Sequence, residues 1–157
     1  MKLLIPLKNN GFTLIEVIIV MIILSSFFLI GLIVDQKMYS HRTLQEEKLL
    51  IVSILQKIRS RSLNNIYESS HGLHINENNY IIFRTVPYSE SESTNENIPK
   101  NNKYTITGSP ELQNSDNEIE IIFTELSGEP INTGEIKLYN GIEQEYININ
   151  KRGLIDW

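Results

Sequence analysis

The chain has 157 residues, the length of one ordinary domain, and a formal net charge of −5, which gives no electrostatic footprint for nucleic acid. It contains no cysteine, which excludes disulfides and thiolate metal centres. A mean hydropathy of −0.17 hides two unlike parts, an apolar N-terminal block and a polar remainder.

From Phe12 to Val34 the chain reads FTLIEVIIVMIILSSFFLIGLIV, with Glu16 its only charge. As a helix this stretch is about 35 Å long, enough for a hydrocarbon layer of about 30 Å. A transmembrane segment is therefore expected over 12–34. Lys2 and Lys8 before it favour a cytoplasmic N-terminus. No small-x-small cleavage site follows, so it does not read as a secretory signal. Gly11 immediately before the run and Glu16 one turn inside it are what a plain anchor would not need. A carboxylate in hydrocarbon costs on the order of a few kcal/mol and marks a function or a partner.

The residues MKLLIPLKNNG followed by FTLIEVIIVMIIL resemble the class III leader and junction of type IV prepilins and pseudopilins. The resemblance implies that a prepilin peptidase cuts between Gly11 and Phe12 and methylates the new amino terminus on Phe12. It implies that Glu16 guides assembly by pairing with a terminal amine, its own or a neighbour's. The implied partners are the peptidase, other pilin or pseudopilin subunits, and inner-membrane lipid before assembly; nucleic acid is not expected. The implied location is the inner membrane, single-pass, with the globular domain outside the cytoplasm, and then the fibre.

No proline or glycine falls between Gly31 and Gly72. Leu44, Ile51, Ile54, Leu55 and Ile58 recur at helical spacing, with Leu63 and Ile66 less regular. Gln45, Glu46, Lys48, Gln56 and Arg59 lie largely off that face. One helix is expected from about Phe12 to the terminators Asn64 and Asn65, its second half amphipathic. Short apolar or alternating runs follow at Gly72–Ile75, Tyr80–Val86, Tyr104–Thr107, Glu118–Glu125, Gly134–Tyr139 and Ile142–Ile149. Asn140-Gly141 signals a hairpin, and Ser127-Gly128-Glu129-Pro130 a turn. The segment between Pro87 and Lys103 is polar and reads as a solvated surface loop.

The expected fold class is α+β, the pilin fold: a long N-terminal helix, transmembrane then amphipathic, packed on an antiparallel β-sheet domain. The expected divisions are a leader over 1–11, a transmembrane half over 12–34, an amphipathic half over 35–67 and a β-rich domain over 68–157. The second half is also similar, in the order of its segments, to minor pseudopilins of the H type and minor pilins of the T type. SRSLNN, GLHI, YIIFR, IIFTELSGEP and ININKRGLIDW carry that likeness.

Little else suggests chemistry. His71 and His74 are not spaced as a helical metal pair, and Asn114–Glu118 lacks the glycine and spacing of a calcium loop. No catalytic motif is present, so no enzyme activity, cofactor or metal is expected. Some T-type minor pilins bind DNA through a basic C-terminal segment; here that region is Lys151-Arg152-Gly153, beside Asp156. The chain is expected to be a structural subunit, minor pilin or pseudopilin, of a type IV pilus or type II secretion pseudopilus. The alternative is a pilus-associated subunit that binds DNA or a surface. Trp157 is expected to pack on the last strand.

Overall fold

The computed structural model describes residues 11–84 and 86–157, with the backbone alone over 28–41. The leader expected over 1–11 lies outside the described residues except for Gly11. The chain divides into two compact units, Met1–Tyr39 and Ser40–Trp157. The helix α1, Leu14–Leu63, contributes to both.

In the first unit α1 starts two residues later than expected, because Thr13 caps it. Among the described residues no helix is long and apolar enough to cross a membrane, which overturns the expected transmembrane half. The described apolar side chains of α1 run from Leu14 to Phe27. Glu16, Ser25 and Ser26 interrupt the stretch; the two serine hydroxyls donate to the carbonyls of Met21 and Ile23, each at 2.7 Å. The expected single-pass inner-membrane topology rested on that span and is not met.

In the second unit the amphipathic face of α1 is buried as its spacing requires. Leu44, Ile51, Ile54, Leu55 and Ile58 are all core residues, joined by Val52. Each such side chain contributes roughly 1.5–3 kcal/mol relative to exposure. Leu63 and Ile66 are exposed, so the face ends at Ile58 and Ser62. The helix stops because Asn65 takes a left-handed conformation (φ 50°), which asparagine tolerates better than most residues.

Eight strands follow: β1 His71–Ile75, β2 Asn79–Phe83, β3 Glu96–Pro99, β4 Thr105–Gly108, β5 Ile119–Phe123, β6 Gly134–Tyr139, β7 Gln144–Ile149 and β8 Ile155–Asp156. They form two four-stranded sheets, β3-β2-β1-β5 and β4-β6-β7-β8, rather than one. Every pairing is antiparallel. Leu73, Ile75, Ile82, Ile121 and Phe123 of the first sheet share one core with Ile136, Leu138, Ile147 and Ile149 of the second and with α1. Period-2 alternation explains the second set: in β6 and β7 every other residue points inward. Asn140-Gly141 does join β6 to β7. The loop spans four residues, Tyr139 pairing with Gln144, and the Asn140 carboxamide oxygen accepts from the amides of Ile142 and Glu143.

The polar segment after Pro87 is exposed or half-buried throughout, as expected of a solvated segment, but it is not all loop. Glu96–Pro99 pairs with β2. Tyr88 stacks on His74, ring centroids 4.0 Å apart, and tilts against Phe83 at 5.2 Å. The face of the first sheet turned away from α1 carries His74, Ile81, Phe83 and Ile122, all buried. Phe83 lies so close over Gly72 that a Cβ there would meet its ring at 2.3 Å. Gly72 is thus required by packing.

Candidate functional site

The residues that carry the expected processing and assembly chemistry sit at the start of α1. Gly11, Phe12 and Thr13 precede the helix and are exposed, Phe12 at 86 %. A Cβ built on Gly11 meets nothing within 4 Å among the described residues, and its backbone is not left-handed. Nothing among the described residues therefore demands glycine at position 11.

Thr13 and Glu16 close the first turn. Glu16 Oε2 accepts from the Thr13 amide and from the Thr13 hydroxyl, both at 2.9 Å. The Glu16 amide reaches back to Thr13 Oγ1 at a longer 3.4 Å. This is the reciprocal arrangement of a capping box, T-x-x-E, which satisfies donors a helix start leaves open. From Leu14 through Leu24, and at Phe27, the large apolar side chains of this end are exposed. Such a continuous surface needs a cover.

In the second unit, His71 and His74 lie on opposite faces of β1, both buried. His74 Nε2 is 3.1 Å from a Glu118 carboxylate oxygen and Nδ1 is 3.8 Å from one of Glu120. Among the described residues no group of three or more metal-ligating side chains comes together. The oxygen-rich Asn114–Glu118 segment bonds to itself: Asn114 Oδ1 accepts from the amides of Asp116 and Glu118. The carbonyl of Arg152 is bound by Arg59 Nη2 at 3.1 Å. Trp157 is 56 % exposed and does not join the core, against expectation.

Several residues that hold this unit together escaped the sequence reading. Lys48 is buried on the core face of α1 rather than off it, and Lys48 Nζ pairs with Glu145 at 2.7 Å. Glu47, also buried, accepts from the Tyr80 hydroxyl, and burial pushes that phenol upward. Ser62 Oγ donates to the Phe123 carbonyl and accepts from the His71 amide, both at 3.0 Å. Arg59 Nε binds the Gly128 carbonyl at 3.3 Å, so one guanidinium ties together the two glycine turns. Lys57 and Arg61 both hold Glu96, at 2.8 and 2.6 Å, and keep its carboxyl below the usual range, the Lys57 bond most.

Beside that pair lies a cavity of about 230 Å³, lined by Arg61, Tyr67, His71, Arg84, Thr94 and Glu96 together with Ile82 and Phe83. Neither imidazole nitrogen of His71 and not the Thr94 hydroxyl makes a hydrogen bond among the described residues. Burial, then the Arg61 guanidinium and more weakly Arg84, hold His71 below the usual imidazole range; the Ser69 backbone, which outweighs Arg84, and Glu96 oppose them.

A family model, the prokaryotic N-terminal methylation motif, matches residues 6–32. That match links the chain to the type IV pilin and pseudopilin family in general, and to no one subtype within it. It supports a structural, pilin-like role and implies an interaction with a prepilin peptidase. No curated protein and no solved structure matches the chain.

Proposed function

We propose that the chain is a minor pilin or pseudopilin, cut by a prepilin peptidase between Gly11 and Phe12, methylated on Phe12, and built into a fibre through its N-terminal helix. The observation that carries this reading is the methylation motif over residues 6–32, whose glycine stands in an exposed, non-helical stretch that does not itself need glycine. The exposed apolar turns of α1 from Leu14 to Leu24 supply the second half of the reading. Copies of related helices packed side by side would cover them.

Glu16 is given the assembly role. After the cut the amine of Phe12 lies one turn from its carboxylate, and a neighbouring subunit brings a second amine. Among packed apolar helices such a pair is strong, and a carboxylate left alone there is costly. The minor-subunit assignment is supported by segment order. SRSLNN ends α1, GLHI is β1, YIIF is β2, IIF closes β5 before its glycine turn, and KRG precedes β8. The reading is tested by shearing surface fibres or pseudopili from cells that carry the tagged full-length chain. The chain should appear in the fibre fraction in small amount beside a more abundant subunit. A chain absent from every fibre fraction of a piliated cell would overturn the structural role.

A further inference from the structure

The cavity beside Glu96 is built unlike a packing defect. Its lining combines two guanidinium groups, a buried imidazole and a hydroxyl; neither of the last two makes a well-formed hydrogen bond among the described residues, and only the Ser69 backbone approaches the imidazole. His71 is only 2 % exposed. Buried polar atoms without partners are rare, because each costs on the order of 1–3 kcal/mol. An apolar void would not be lined this way, and a polar cavity of this volume is not left dry.

The charges around it are unbalanced. Glu96 is the one carboxylate in the lining, and Lys57 and Arg61 already hold it. Arg61 gives Glu96 its Nη1. Arg84 has no carboxylate within ion-pair distance among the described residues; its guanidinium lies 4.4 Å over the ring of Tyr67, which is itself on the cavity wall. Two guanidinium groups thus line the cavity beside one carboxylate, and that carboxylate is already held by Lys57 and Arg61. Guanidinium groups favour planar and tetrahedral oxyanions, which accept several N–H donors at once.

We propose that this cavity binds one small oxyanion of the phosphate or carboxylate class. Arg84 and the remaining guanidinium nitrogens of Arg61 supply the charge. His71 N–H and Thr94 O–H supply neutral donors, and Tyr67 forms the lip. The site stands on the cavity alone and does not depend on the pilin reading.

The test is an NMR titration of the full-length, isotope-labelled chain in a non-ionic detergent at constant ionic strength. Inorganic phosphate and acetate are added in separate arms. The expected result is a saturable shift of the His71 ring nitrogens and of Thr94 with at least one anion, at millimolar concentration or below. Arg84→Gln should weaken that binding about tenfold, as loss of one charge-assisted bond does. Lys151→Gln, an exposed cation elsewhere, should leave it unchanged. A preference for phosphate points to free phosphate or a phosphorylated group; a preference for acetate points to an acidic side chain. Should Arg84→Gln unfold the chain, Thr94→Val takes its place and must weaken binding while the remaining spectrum is retained. Shifts that stay linear with both anions, or saturable binding indifferent to the folded variant at 84 or 94, would overturn the site.

Discussion

Thr13 and Glu16 hold each other across the first turn of α1, the carboxylate accepting from both the amide and the hydroxyl of the threonine at 2.9 Å. Glu16 therefore already has a local task before any neighbour arrives. Capping and charge can be separated by substitution. Glutamine can still reach the Thr13 amide, as it does in other capping boxes, but it cannot pair with an amine as an ion. If charge pairing sets assembly, Glu16→Gln and Glu16→Ala should both be severalfold depleted from the sheared fibre fraction, at unchanged total protein. A glutamine variant incorporated like the parent would reduce Glu16 to a helix cap.

Ser62 is the buried link between helix and sheet. Removing its hydroxyl leaves the Phe123 carbonyl and the His71 amide short of a partner in the core. Ser62→Ala should cost about 1–3 kcal/mol in urea unfolding. A midpoint within error of the parent would mean that both groups find other partners.

Gly128 and Gly153 meet where the last turn of α1 ends. Both are left-handed, at φ 60° and 72°. A Cβ on Gly128 would lie 2.5 Å from the Leu63 side chain, and one on Gly153 would lie 2.5 Å from the Gly128 carbonyl oxygen. Either alanine should destabilise by about 2–4 kcal/mol, from the left-handed penalty and the forced displacement together. Gly141 is the internal control: it too is left-handed, but a Cβ there meets nothing. Gly141→Ala should therefore cost less than Gly128→Ala in the same thermal melt.

His71 makes stability depend on acid. Its folded pKa lies below the unfolded value of about 6.5. Between those two values the unfolded chain binds the proton and the folded chain does not, so stability falls as pH drops below about 6.5. Above that pH the imidazole is neutral in both states and contributes no slope. Urea unfolding at pH 7.5 and 5.5 should show a smaller loss for His71→Gln than for the parent. Equal losses would place the acid sensitivity elsewhere.

What was legible in the chain was local. The junction at Gly11 and Phe12, the alternation of β6 and the Asn140-Gly141 hairpin are encoded by neighbours in sequence. The capping box was also there to be read, as T-x-x-E before an apolar run, but Glu16 drew attention as an isolated charge. Lys48 lies four residues from Leu44 and three from Ile51, so spacing alone put it on the core face. Its charge argued otherwise, and its partner Glu145 is 97 residues away. The two-sided burial of the first sheet had a signal in the unbroken runs YIIF and IIF, yet the residue that covers the second face, Tyr88, sits in a polar stretch. β3 pairs through its backbone and carries one apolar side chain, Ile98, so it left almost no pattern. The apolar run after Gly11 has the composition of a span, yet among the described residues no helix is long and apolar enough to cross a membrane. The cavity joins residues from Arg61 to Glu96 across a helix end, two strands and a loop, which no spacing rule connects.

The cut after Gly11 is the step on which the pilin-like role most directly depends. The full-length chain would be co-expressed with a prepilin peptidase, and its N-terminus determined by intact mass and peptide sequencing. A chain that begins at Phe12 and carries one extra methyl group there is the expected result. A chain that keeps residues 1–11 in the presence of peptidase active on another substrate would contradict it.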